Sequence, residues 1–267
     1  MSAQEESEVR VIPDQRRETL LRALHREKVL SVHQLTDLLG VSHMTVRRDI
    51  AALEREGQAL SVPGGVKLAT NISTEPSRQH KSLLQTAEKQ AIARDAAALV
   101  QDDMVLYLDA GTTTLAMLPE LAARKNLTVV TNDFVIVEAL GAVGASTIHI
   151  GGFVDHTNRS TVGTLATRIL EQLNLDIAFI SASSWSLKHG VTTPVPTKVD
   201  VKRAVMAAAT DRVLLVDSTK YGQYSAYRVA ALADFDTIVT DAGLSEAAVA
   251  AIRDRNVDLR LAETRGD

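Results

Sequence analysis

A chain of 267 residues, 45% hydrophobic and 23% charged, has room for a small and a medium-sized folded domain, which excludes a wholly disordered protein. It contains no cysteine, so disulfides and thiolate chemistry are excluded and a reducing cytoplasm is the expected compartment. The net charge of −4 is unevenly spread: residues 10–70 carry 10 Lys/Arg against 7 Asp/Glu, and the remainder is acidic.

The first residues, Met1-Ser2-Ala3-Gln4-Glu5-Glu6, are acidic and lack the apolar stretch of a secretory leader. No apolar run approaches the roughly 18 residues that a membrane helix requires, so no membrane partner is expected.

Three short helices are predicted before residue 60. The first spans 14–27, with Leu20, Leu21 and Leu24 as its apolar stripe. The second opens at Ser31, where Gln34 completes a capping box, and stops at Gly40. The third opens with Ser42 as N-cap, places Val46, Ile50 and Leu53 on one face, and ends near Gly57. Residues 60–62 and 66–68, separated by Pro63-Gly64-Gly65, read as a hairpin with a glycine turn.

Only Gly40-Val41-Ser42 separates the second helix from the third, so the two must cross steeply. With Val46, Ile50 and Leu53 turned to the core, His43, Met44, Arg47 and Arg48 project outward and Thr45 sits at the margin. Adjacent arginines on the first two turns suit phosphate contacts and guanine edges, and a helix N-terminus adds N–H donors for phosphate. Ser42, His43, Met44, Thr45, Arg47 and Arg48 are therefore the candidate contacts to double-stranded DNA. The competing reading makes Arg47 and Arg48 solvated charges, one of them paired with Asp49 or Glu54.

The polar stretch 71–86 reads as a linker. From residue 87 onward, Ala- and Leu-rich helices alternate with candidate strands at 104–108, 127–131, 147–150, 177–181, 213–216, 237–240 and 257–261. Apolar strands separated by helices predict a doubly wound, mostly parallel α/β sheet. The expected domains are thus a winged helix-turn-helix over 10–70, a linker over 71–86 and an α/β domain over 87–263.

Within the second domain, Asp109-Ala110-Gly111-Thr112-Thr113-Thr114 follows a strand and opens a helix. Its N–H groups and hydroxyls can cradle a phosphate or carboxylate. It is not a Walker A loop, because no Lys follows at the required place. Thr131, Asn132, Gly151, Gly152 and Asp217 fall at strand ends on the same carboxyl edge, where open α/β sheets bind ligands. Lys220 can neutralise an anion there, and Asp109 and Asp217 can accept sugar hydroxyls. Lys202, in a helical stretch, is a second basic candidate, with a solvated position as the alternative. A tight turn is the equal alternative for Gly151-Gly152.

The stretch Gly190-Val191-Thr192-Thr193-Pro194-Val195-Pro196 is expected to be a loop over the pocket, with the lone Trp185 beside it. Histidines 25, 33, 43, 80, 149, 156 and 189 show no ligand spacing, and there is no G-x-S-x-G elbow, so no metal or cofactor is expected.

Val41-Ser42-His43-Met44-Thr45-Val46-Arg47-Arg48-Asp49-Ile50, then Leu53-Glu54-Arg55-Glu56-Gly57 and Gly64-Gly65-Val66, resemble the signature of the DeoR/GlpR family of bacterial repressors. Family members often carry Arg and His before the wing's Gly-Gly, where this chain has Ser61 and Pro63. The resemblance continues through Glu88-Lys89-Gln90-Ala91-Ile92-Ala93, the 109–114 segment, Thr131-Asn132, Gly151-Gly152 and Asp217-Ser218-Thr219-Lys220-Tyr221-Gly222.

It implies a repressor of a carbohydrate or sugar-acid operon, working as a homo-oligomer (dimer or tetramer), with a sensor domain folded like sugar-phosphate isomerases. The implied effector is a small phosphorylated sugar. Ser181-Ala182-Ser183-Ser184-Trp185 and Lys220-Tyr221-Gly222-Gln223-Tyr224 resemble a branch tied to sugar acids, which makes a phosphorylated sugar acid the preferred effector. The rival readings are an isomerase-like enzyme with an appended helical domain, and a protein-interaction module in place of the DNA-binding helices. A shared fold does not transfer an activity, so an enzyme is not expected.

Overall fold

The computed structural model describes residues 12–141, 144–255 and 257–264. The acidic N-terminus and residues 10 and 11 of the expected first domain lie outside the described residues. The chain divides into two compact units, with the boundary between Ala69 and Thr70.

The first unit runs α1 (Pro13–Glu27), β1 (Val29–Ser31), α2 (Val32–Leu39), α3 (His43–Arg55), β2 (Ala59–Val62) and β3 (Gly65–Leu68). Each predicted helix is present, and local chemistry sets its ends. Ser31 and Gln34 form the reciprocal capping box of α2, and Gly40 closes that helix in the left-handed conformation. Ser42 caps α3 by accepting from the Thr45 N–H at 3.3 Å.

The hairpin is one strand short of the observed sheet, whose order is β1-β3-β2. A three-residue strand carries too little periodicity to be read from sequence. It reaches β3 only because position 65 is glycine: a Cβ there would lie 2.3 Å from the Leu30 carbonyl oxygen. Leu20, Leu24, Leu35, Val46 and Leu53 are fully buried and form the core with Val66.

The second unit runs α4 (Arg78–Ser82), α5 (Thr86–Ala97), β4 (Val105–Leu108), α6 (Thr112–Leu115), α7 (Leu118–Leu121), β5 (Thr128–Thr131), α8 (Phe134–Leu140) and β6 (Ser146–His149). It continues with β7 (Phe153–Asp155), β8 (Ser160–Val162), α9 (Thr164–Leu170), β9 (Leu175–Ser181), β10 (Ser184–Ser186), β11 (Gly190–Thr193) and α10 (Thr197–Ala208). It closes with β12 (Ala209–Leu215), β13 (Tyr227–Ala230), β14 (Thr237–Asp241), α11 (Glu246–Arg253) and β15 (Asp258–Ala262).

All seven predicted strands join one parallel sheet, ordered β15-β14-β12-β9-β4-β5-β6. The chain moves outward from β4 to β6, then returns to lay β9 on the other side of β4. The carboxyl ends of β4 and β9 are therefore the topological switch point, where such sheets open a crevice. Leu106, Leu108, Val129, Phe179 and Leu215 fill the sheet interior, a largely aliphatic core.

Two stretches differ from expectation. Gly190–Thr193 is not a loop over a pocket but the central strand of an antiparallel sheet, β10-β11-β13, in which Trp185 faces Val191. Its β-branched residues find edge partners on both sides. Residues 71–86, read as a linker, are held within the second unit: Ser77 caps α4, and Arg78 is buried against Asp133. Polarity alone does not mark a linker when the charges have buried partners. Among the described residues, no helix is long and apolar enough to cross a membrane.

Candidate functional site

The first site is the leading face of α3. Ser42, His43, Met44, Arg47 and Arg48 are exposed and Thr45 is half-buried, while Val46 and Ile50 anchor the opposite face in the core. The carboxylates that could have neutralised the arginines are engaged elsewhere. Arg16 on α1 grips Asp49 with two bonds of 2.5 and 3.0 Å, and Ser61 on β2 donates its hydroxyl to Glu54 at 2.7 Å. Arg47 and Arg48 make no ion pair with a described residue. Ser61 is thus bound to α3 within the unit and fastens the wing to it.

The second site is a cleft of about 220 Å³ at the switch point of the parallel sheet. Of the residues expected to meet an effector, Asp109, Gly111, Thr112, Thr113, Asn132, Lys202 and Lys220 line it together. Asp109 follows β4 and accepts both the N–H and the hydroxyl of Ser181, at the end of β9, at 2.9 and 2.7 Å. The ammonium of Lys202 on α10 completes the shell, bonded to the Asp109 carboxylate and, at 2.7 Å, to the Ser181 carbonyl. Lys202 is buried, so its solvated alternative does not hold.

Two N–H groups assigned to a ligand are used internally. Ala110 donates to the Asn132 side chain at 2.9 Å and Gly111 to Asp133 at 3.2 Å.

The remaining expected residues lie outside the cleft lining. The Thr131 hydroxyl donates to the Leu108 carbonyl at 2.7 Å and ties β5 to β4. Gly151 and Gly152 turn the chain between β6 and β7 with positive φ, and a Cβ on Gly152 would crowd Ala166 at 2.9 Å. Asp217 stands behind Lys220, 3.1 Å from its ammonium. Burial alone would raise the Asp217 carboxyl, but Lys220 and the Thr219 hydroxyl outweigh it and hold it below the usual range.

Sequence reasoning missed Glu75, Lys81, Lys198, Ser160 and Ser183, which also line the cleft. Lys198 and Lys202 are four apart on α10, a spacing that puts both on one helical face. Glu75 and Lys81 carried no such signal. Lys81 donates to Glu75 at 2.8 Å and to Asn158 at 2.7 Å, and Lys198 bonds the other Glu75 oxygen at 2.5 Å. Burial opposes ionisation of Glu75, yet the charges of Lys198 and Lys81 prevail and hold its carboxyl at about 2.

Behind them, Lys89 donates to the Leu84 carbonyl at 2.6 Å, and burial together with the nearby Lys220 charge lowers its ammonium to about 8. Four lysines thus line the cleft, Lys81 and Lys198 against Glu75, Lys202 against Asp109 and Lys220 against Asp217.

A winged helix whose α3 presents an exposed cationic face, joined in one chain to an α/β unit with a lysine-lined cleft, is the architecture of a DNA-binding transcriptional regulator. Residues 16–71 match the DeoR-like helix-turn-helix domain and residues 84–242 the DeoR C terminal sensor domain, and the chain belongs to the DeoR family of transcriptional regulators.

An uncharacterized HTH-type transcriptional regulator of Haemophilus influenzae is 46% identical over 255 residues, covering 95% of this chain and 99% of its own. The transcriptional repressor AccR of Agrobacterium fabrum is 32% identical over 230 residues, covering 85% and 89%. Among solved structures, a ribose 5-phosphate isomerase of Methanocaldococcus jannaschii aligns with 50% of this chain and 53% of its own, at a TM-score of 0.38 and 21% identity. That likeness is too weak to bear on function.

Proposed function

We propose that this regulator is a repressor of a carbohydrate or sugar-acid catabolic operon, released from its operator when a small phosphorylated sugar or sugar acid enters the cleft. The gathering of four lysines in a cleft walled by Thr112, Thr113, Ser160 and Ser183 supports the reading: cations meet the phosphate, and hydroxyls and carboxylates meet the sugar oxygens. Ser42, His43, Met44, Thr45, Arg47 and Arg48 contact double-stranded DNA in the cytoplasm, and Asp109, Gly111, Thr112, Thr113, Asn132, Lys202 and Lys220 contact the effector. Thr131 ties β5 to β4 beside that set, and Asp217 pairs with the Lys220 ammonium, while Gly151 and Gly152 form the turn after β6. A homo-oligomer presents two recognition helices to adjacent half-sites.

The test is a thermal-shift screen of phosphorylated sugars and sugar acids, followed by operator release in a gel-shift assay. A ligand of the native state raises the melting temperature. Lys220→Ala should bind operator normally and lose the response to that ligand. A preserved response would move the effector site elsewhere.

A further inference from the structure

Glu75 is the unexpected member of the cleft. It is a carboxylate from the segment that opens the second unit, its side chain only 9% exposed, and it is gripped by the ammoniums of Lys81 and Lys198. Ser183 adds its hydroxyl at 3.4 Å. Two ammoniums and a hydroxyl converging on one carboxylate make a carboxylate subsite, and here the chain itself occupies it.

The lysines do not depend on Glu75 for their positions. Lys81 also holds Asn158 at 2.7 Å, and Lys198 lies 3.6 Å from Asp155. Both partners belong to the β7–β8 hairpin, so the subsite remains assembled if Glu75 leaves.

The geometry points to Glu75 as an internal stand-in for the carboxylate of the effector, which displaces it on binding and so loosens the segment that leads from the DNA-binding unit. This rests on the anion-binding reading of the cleft and narrows it to ligands bearing a carboxylate as well as a phosphate. A second link runs along the same segment. The loop that carries Lys220 and Gln223 ends at Tyr224, whose carbonyl accepts from the Ile72 N–H at 2.7 Å and whose N–H donates to the Thr70 carbonyl at 3.1 Å. A ligand that draws on Lys220 and expels Glu75 therefore acts on residues 70–75 from two sides. Such an effector changes DNA binding by favouring one of two arrangements of that segment.

The test is calorimetric titration of the full chain and of Glu75→Gln with two probes: 3-phosphoglycerate, which has a carboxylate and a phosphate, and glycerol 3-phosphate, which has the phosphate alone. Removing the internal competitor should tighten 3-phosphoglycerate binding about tenfold and change glycerol 3-phosphate less than about twofold. Unchanged or weaker 3-phosphoglycerate binding in Glu75→Gln would mean that Glu75 only positions the lysines, and the proposal falls. An equal gain for both probes overturns the carboxylate assignment. If neither probe binds either protein, the anion-binding reading itself fails and takes this inference with it.

Should Glu75→Gln not fold, hydrogen exchange on the unmodified protein decides. Amides across residues 70–77 should exchange faster with 3-phosphoglycerate bound, and unchanged or slower exchange overturns the displacement.

Discussion

Ser181, at the end of β9, donates both its backbone N–H and its hydroxyl to one carboxylate oxygen of Asp109, at the end of β4. The two strands flanking the switch point are thereby clamped at the floor of the cleft, and the same oxygen receives the Lys202 ammonium. Asp109 is thus the hub of the cleft floor, more than a free acceptor for a sugar hydroxyl.

Asp109→Asn removes the counter-charge of a buried ammonium while keeping the side-chain shape. Breaking a buried pair from one side typically costs about 3–5 kcal/mol. Urea denaturation should show the second unit destabilised by roughly 3 kcal/mol, and Asp109→Asn with Lys202→Met should recover part of that loss.

Arg47→Ala should weaken operator binding by about 1–3 kcal/mol if the guanidinium reads a base edge, with a loss that depends on the operator base it faces. Fluorescence anisotropy across a set of single-base operator variants checks this. A uniform loss across all sequences, with a shallower salt dependence, would make Arg47 a phosphate contact. Because no described carboxylate pairs with Arg47, the substitution should leave the folding stability of the first unit within about 0.5 kcal/mol of the parent.

Asp49→Ala should do the opposite. It removes the paired bonds by which Arg16 joins α1 to α3, at an expected cost of about 2–3 kcal/mol to the first unit. Operator binding should fall in step with the unfolded fraction and recover on cooling, although Asp49 is buried and cannot face DNA.

Glu75 also predicts an acid limb. Its carboxyl is held at about 2, against 4.5 for the free group, so the folded state favours the ionised form. That stabilisation is complete above about pH 4.5 and is lost as pH falls toward 2, a contribution on the order of 3 kcal/mol. Urea denaturation at pH values from about 6 down to about 3 should show a shallower decline in Glu75→Gln than in the parent chain. Parallel declines would assign the acid limb to other carboxylates.

Local pattern alone determined much of this protein. The caps at Ser31, Gly40 and Ser42, the apolar stripe through Val46, Ile50 and Leu53, and the seven apolar strands of the parallel sheet are each set by neighbours a few residues away. Hydrogen-bond rings and side-chain periodicity have short range, so the sequence displays them directly. The candidate recognition helix and the 109–114 turn were visible for the same reason.

Only the tertiary structure decided which charges are spent and which are free. Asp49 is taken by Arg16 from 33 residues away, Lys202 meets Asp109 across 93, and Glu75 meets Lys198 across 123. A charged side chain reads the same in sequence whether it is solvated or buried. Its role is set by desolvation and by the partner that the fold brings within about 4 Å, and neither has a local signature. That is why a polar stretch read as a linker holds a carboxylate inside the cleft.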